Sequence, residues 1–208
     1  METYEAISTR RTVRDFSDRQ IDMEVIERII DAGLKAPTND HMRNWEFVIV
    51  NNRSNRAEIV KAIVELKHEA EVEAWLDSWG ASDAIQRSMY IDAVPKQYQM
   101  LLNAGCLILP FFHQSGSLLH PKTLSSLNGF ASIWCCIENI LITSAAEGIC
   151  GVTRIPMSNE VLHIKQIIKH PDDYAMPCYI ALGYPALDAA MNIQKSVSAK
   201  EKIHMDIW

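Results

Sequence analysis

The chain has 208 residues, 26 acidic against 20 Lys and Arg, for a formal net charge of −6, with 48% hydrophobic and 22% charged residues. That length and apolar content fit a single domain, 1–208, that buries a core, and they exclude a disordered chain. An acidic balance without a long basic stripe excludes a nucleic-acid backbone as partner.

The five cysteines, at positions 106, 135, 136, 150 and 178, have no CxxC or metal-ligand spacing and mostly sit in apolar runs. They read as free thiols, most of them buried, in a reducing compartment. The N-terminus is acidic where a secretory leader would be basic, and no run reaches the ~18–20 apolar residues of a membrane span. A cytoplasmic protein without membrane contact is expected.

In chain order, residues 3–8 predict a short helix leading into Thr9-Arg10-Arg11-Thr12-Val13-Arg14-Asp15-Phe16. Three arginines around a hydroxyl offer planar donor forks suited to a phosphate, and in an acidic protein such a cluster points to a small anion. Asp22 stands at an N-cap position before a helix marked by Met23, Ile26, Ile29, Ile30 and Leu34, which Pro37 ends. A polar loop, 38–44, then precedes a β-branched and aromatic strand at 45–50. A second helix is predicted over 55–73, with Ile59, Ile63 and Leu66 on its buried side. The segment 74–98 reads as a helical, mobile excursion whose Trp75, Trp79 and Tyr90 either pack or cover a pocket.

Residues 104–112 predict a strand buried on both faces. A polar loop follows at 113–126, and 130–147 is a helix so apolar that it is expected to be buried nearly all round, ending at Gly148. Shorter elements are predicted at 152–156 (strand or turn), 158–169 (helix) and 176–183 (buried strand). The polar tail, 186–208, ends in Ile207-Trp208, and a partner subunit is the expected cover for such an end. The pattern is α+β, with helices around a small central sheet.

Three separated pieces together resemble the nitroreductase family of flavin enzymes: residues 10–16, residues 29–38 leading into 45–50, and residues 146–152 with 181–185. The resemblance implies a nitroreductase-like fold with a small central mixed sheet surrounded by helices and a C-terminal tail extending onto the partner subunit. It implies a homodimer with FMN at the subunit interface. Carried over by position, the phosphate and pyrimidine contacts fall on Arg10, Arg11, Thr12, Val13 and Arg14. The family's Ala-Pro-Ser loop becomes Ala36-Pro37-Thr38, continuing to Asn39 and His41, where this chain departs from the family by reading Arg43-Asn44-Trp45. Thr153, Arg154 and Ile155 map beside the reactive edge of the ring. Lys195 is the tail's phosphate contact, with Lys200 as the substitute.

With the chemistry carried by FMN, no side chain is assigned as catalytic, and no metal site is expected. Hydride from NADH or NADPH would enter at flavin N5, with Arg14 facing the resulting negative charge and Thr153 near N5. Reduced FMN would then serve a nitroaromatic, quinone or related small-molecule acceptor in ping-pong turnover. Arg154 is expected either to meet an acidic substrate or cofactor phosphate, or to lie on the surface. Two alternatives stand beside this reading. One is a reductive dehalogenase of the same family, whose lid glutamate, tyrosine and lysine find no clear match among Glu71, Glu73, Trp75 and Tyr90. The other is an FMN carrier or sensor without turnover.

Overall fold

The structure is a computed structural model, and it describes residues 2–66 and 68–208. Met1 and Lys67, which fall within the expected acidic start and the helix expected over 55–73, lie outside the described residues. The elements are α1 (Thr3–Thr9), α2 (Met23–Gly33), β1 (Trp45–Val50), α3 (Arg53–Val60), α4 (Glu69–Ser78), α5 (Ala84–Ala93), α6 (Gln97–Leu102), β2 (Cys106–His113), α7 (Asn128–Ala146), β3 (Cys150–Arg154), α8 (Ser158–Ile168), β4 (Tyr174–Ala175) and β5 (Tyr179–Gly183). The strands form one sheet in the order β1-β2-β5-β3, with β4 on β2. Every ladder is antiparallel, and the parallel contact in this mixed α and β frame is an isolated bridge, Thr12 to Gly151.

β2 is buried along its length up to His113, as its unbroken apolar run requires of a central strand. One face of the sheet carries α2 and α7 over Cys106, Ile108, Ile180 and Leu182, and the other carries α3, α6 and α8 over Leu107, Leu109, Phe111 and Tyr179. Gly33 lets α2 approach α7: a Cβ there would lie 2.7 Å from Ile140.

Several expectations change. The helix expected over 55–73 is two helices. Asn52 starts α3 by accepting from the amides of Ser54 and Asn55, and the chain leaves helix after Val60 so that Ile63 can turn back into the core. Asp22 occupies the N-cap of α2, but its side chain makes no capping bond. Helix α7 is buried on one stripe only, Ile133, Cys136, Ile137, Ile140 and Ser144, while Ala131, Cys135, Glu138, Ile142 and Ala145 are exposed or half-buried. With its lead-in it makes a 23-residue apolar helix, Leu124–Ala146, of mean hydropathy 1.4, so one segment does meet the length and composition of a membrane span. It packs on α2 and the sheet, as the core helix of a soluble fold also would. The tail carries one 3-10 turn and exposes Leu187, Ile193, Ile203, Ile207 and Trp208.

All five cysteines are free thiols. Burial pushes Cys106, Cys136 and Cys178 up to about 12, and Cys135 is exposed. Because the thiolate is the nucleophile, brief iodoacetamide treatment of the folded protein at about pH 8 is expected to spare those three, which become labelled only after unfolding in urea, as read by peptide mass spectrometry. The second expectation concerns Gly183, where a Cβ would sit 2.6 Å from the Phe16 ring. Gly183→Ala should lower stability by about 1–3 kcal/mol in urea denaturation, because the ring cannot back out of the sheet without moving the backbone that carries it.

Candidate functional site

The arginine-rich turn is strapped to the sheet at two points. Thr12 bridges Gly151 on the free edge of β3, and Phe16 bridges Pro185 beyond β5, with Ser17 N donating to Tyr184 O at 2.9 Å and Ala186 N to Asp15 O at 3.0 Å. Val13 is wholly buried between these straps. In extended backbone its neighbours Thr12 and Arg14 therefore turn to the opposite face. Val13 thus anchors the turn through the core.

The three guanidinium groups go to three neighbours. Arg10 Nε lies 3.4 Å from Glu138 on the unburied side of α7. Arg11 Nη2 donates to the Asn192 carbonyl of the tail at 2.7 Å. Arg14 reaches α5, with Nη2 3.9 Å from Met89 Sδ and Nη1 4.0 Å from Asp92. Burial pulls Arg14 below its ordinary value, opposed by Asp92 and then Asp15. A cavity of about 140 Å³ lies between Arg10, Arg11 and the end of α7 at Leu141, Ala145 and Gly148.

Sequence reasoning assigned no role to Asp92 or Lys96. Lys96 binds Asp92 at 2.6 Å and Asp15 at 2.7 Å, which makes a cluster of two cations and two carboxylates that ties α5 to the turn. Burial acts to lower Lys96, but its bonds to Asp15 and Asp92 outweigh that and raise it. The i,i+4 spacing of Asp92 and Lys96 was visible in the sequence, whereas their shared target was not. The segment expected to be helical over 74–98 holds the end of α4, α5 and the start of α6, and Trp75, Trp79 and Tyr90 pack on one another with centroids 5.0–5.7 Å apart. Lys195 binds Asp83, the N-cap of α5, at 2.9 Å, and Lys200 lies in the 3-10 turn Ala199–Glu201.

The loop after α2 lies elsewhere. His41 and Arg43 adopt left-handed backbone, φ 61° and 49°. Arg43 donates to the Leu34 carbonyl at 2.9 Å and so closes the end of α2. Thr38, Asn39, Asn44 and Trp45 line a small cavity of about 40 Å³ with Gly129 and Ser132 at the start of α7. Within it the Thr38 hydroxyl is buried and has no hydrogen-bond partner among the described residues. Ser132 and Leu141, which mark the two cavities, are about 13 Å apart along the helix axis at ~1.5 Å per residue. Within one chain, the Pro37–Thr38 loop and the arginine turn occupy opposite ends of α7.

On β3, Thr153 is half-buried opposite Ile180, and Ile155 is exposed just past the strand. Arg154 corrects the expectation of a ligand-binding or surface arginine. It is buried, donating Nε to Gln97 at 2.9 Å and both Nη groups to Glu160, one of them at 2.7 Å, while Tyr179 Oη donates to the same carboxylate at 3.1 Å. Burial and then Glu160 push the Tyr179 hydroxyl up. A charge this deep persists because a carboxylate and an amide meet it, and this joins β3, β5, α6 and α8.

The sequence pattern of the Nitroreductase family matches residues 7–184. The chain belongs to the nitroreductase family. Among its relatives, an iodotyrosine deiodinase of Nematostella vectensis is 26% identical over 195 residues, 90% of this chain and 69% of that protein. A putative NADH dehydrogenase/NAD(P)H nitroreductase of Methanothermobacter thermautotrophicus is also 26% identical, over 100% of this chain and 88% of that one. In fold, the chain is similar to an oxidized iodotyrosine deiodinase solved with FMN and 3-iodo-L-tyrosine, with a TM-score of 0.73, 16% identity and full coverage of both chains.

Glu160→Ala leaves the Arg154 charge buried without its carboxylate and is expected to cost about 3–5 kcal/mol. Tyr179→Phe removes one hydrogen bond and should cost only about 1 kcal/mol, the two being compared by urea denaturation.

Proposed function

We propose that the protein is an FMN-dependent oxidoreductase that takes electrons from NADH or NADPH and passes them to a small nitroaromatic, quinone or related acceptor, with each complete cofactor site built from two copies of the chain. The observation that carries this reading is the division of the cofactor-type residues between the two ends of α7, with an orphaned buried hydroxyl at one of them. Leaving such a hydroxyl unpaired costs about 1–3 kcal/mol, which a polar ligand edge against Thr38 would recover.

The residues present fit FMN. Arg10, Arg11 and Thr12 supply donors for phosphate oxygens, and Arg11 is held by a backbone carbonyl rather than a carboxylate, so its charge is not cancelled. A two-fold axis beside α7 would set the start of one copy's helix against the end of the other's and bring the partner's Pro37–Thr38 loop to the arginine turn. The stripe Ala131, Cys135, Ile142 and Ala145 and the exposed apolar tail are the surfaces such a dimer would cover. Lys195 sits on the tail near α5, within the same part of the fold as Arg11.

When bound, FMN supplies two-electron redox chemistry. Arg14 holds a cation under α5 where negative charge on the ring would develop, and an unopposed charge about 4 Å away is worth up to ~4 kcal/mol at an effective dielectric near 20. Asp92 offsets part of that. Val13 fixes the backbone between Arg10–Thr12 and Arg14, so that the phosphate donors and the ring cation keep a constant spacing. A reductive dehalogenase is the second reading, favoured by the similarity to iodotyrosine deiodinases over 90% of the chain. The lack of a clear match to that reading's lid glutamate, tyrosine and lysine among Glu71, Glu73, Trp75 and Tyr90 weighs against it.

Reconstituted protein is expected to be yellow, to run as a dimer in light scattering, and to bleach when NADH or NADPH is added without oxygen. Bound FMN that stays oxidised with both donors would leave a carrier or sensor, and failure to take up FMN would end the reading. Arg11→Ala should weaken FMN binding about tenfold, the value of one charge-assisted hydrogen bond, measured by fluorescence quenching. Release of iodide from 3-iodo-L-tyrosine by the reduced protein, with no turnover of nitroaromatics or quinones, would shift the assignment to the dehalogenase.

A further inference from the structure

The Arg14 side chain is 13% exposed, against 30% for Arg10, and its surroundings come largely from one face of α5. Met89 and Asp92 stand three residues apart on that helix, and Lys96 follows one turn later. Met89 Sδ lies 3.9 Å from Arg14 Nη2, and Asp92 Oδ2 lies 4.0 Å from Nη1. The other oxygen of Asp92 binds Lys96 at 2.6 Å, and Lys96 reaches Asp15 at 2.7 Å. A second link runs through the tail: Asn192 Nδ2 donates to Asp92 Oδ2 at 3.5 Å, while the Asn192 carbonyl accepts from Arg11 at 2.7 Å. Asp92 therefore touches both Arg14 and the residue that holds Arg11.

Other charged groups in this part of the fold are engaged elsewhere. Arg10 pairs with Glu138, Arg87 with Asp77, and Lys195 with Asp83. A cavity of about 360 Å³ between α5 and the tail has Met89 and Asn192 in its wall, and none of its seven lining residues is charged. Arg14, Lys96, Asp92 and Asp15 thus form a cluster of zero net charge, and their side chains are only 13–33% exposed, so salt screens them less than a surface pair. A hydride carries two electrons and one proton. A ring that accepts one gains a negative charge unless it takes up a second proton, and the net charge of the cluster acts on that added charge.

We propose that Asp92 tunes the reduction potential of the cofactor at this site: by sharing Arg14, it withholds part of that cation from the reduced ring and keeps the potential below what the arginine turn alone would set. The inference rests on the proposed FMN site with Arg14 as its ring cation. Asp92 acts through Arg14, as a positioning residue, and Lys96 limits how far it does so.

The test is the midpoint potential of the FMN-loaded protein, reduced by dithionite against a reference dye, so that no recognition of NADH or NADPH is needed. Asp92→Asn is nearly isosteric and leaves the cluster at +1. It is expected to favour reduced over oxidised FMN about tenfold, an upward shift of ~30 mV for a two-electron couple. Lys96→Gln leaves the cluster at −1 and should shift the potential downward by a similar amount. Combining the two substitutions restores neutrality and should return the potential close to that of the wild type, as should Asp92→Glu, which keeps the charge. Opposed shifts that cancel in the double variant are not what a purely structural cluster would give, and circular dichroism checks that each variant folds. Potentials unchanged in both single variants, or shifted the same way in both, would overturn the tuning and leave the FMN site in place. A wild-type protein that takes up no FMN would remove the tuning together with the proposed function. Opposed shifts without bleaching by NADH or NADPH would keep the tuning and remove the donor.

Discussion

The fold depends on the way a short extended segment is fastened to the edges of the sheet. Thr12 pairs with Gly151 on β3, the Phe16 ring lies on the bare backbone of Gly183, and Val13 between them is wholly buried. A charged turn would otherwise be free to wander, because its arginines gain as much from water as from one another. Apolar anchors at Val13 and Phe16 do what the charges cannot. They also set the spacing between the arginines that precede Val13 and the one that follows it.

Around that fastened segment, each arginine meets a different neighbour, and the neighbours come from distant parts of the chain. Glu138 belongs to α7, Asn192 to the tail and Asp92 to α5. The turn is therefore where three otherwise separate structures are joined. The cluster of Arg14, Asp92, Lys96 and Asp15 carries two positive and two negative charges, which lets partly buried side chains stay charged at modest cost. Arg154 solves the same problem deeper in the molecule, with Glu160, Gln97 and Tyr179 as its partners. One cluster governs how α5 lies on the turn, and the other how α8 and α6 lie under the sheet.

Helix α7 is the element on which the proposed two-chain site turns. Its buried stripe explains its packing on α2 and the sheet, and its second stripe of small and apolar residues is only partly covered by the described residues. The turn and the Thr38 loop lie toward its opposite ends, where no rearrangement within a rigid helix could bring them together. Two-fold pairing, as proposed above, would cover that stripe and join the two ends.

Much of the architecture was legible in the sequence. The strand at Trp45–Val50, the central strand, the long helix and the arginine turn all carry local signals: β-branched runs, apolar periodicity, a proline or glycine stop. Those signals fail where the deciding contact is distant. Nothing near Val60 announces that α3 must end there, because the cause is a place for Ile63 in the core. Nothing near Arg154 announces burial, because its carboxylate arrives on α8 and its amide on α6. The side-chain capping expected of Asp22 was absent even though its position was right. By itself, then, the sequence determined most of the elements, the α+β class and the presence of an arginine-rich turn, all of which are short-range consequences of residue type. Tertiary structure alone decided which charge meets which, that Thr38 and the turn stand at opposite ends of one helix, and that Arg154 is a strut, because those outcomes depend on groups brought together only when the sheet closes.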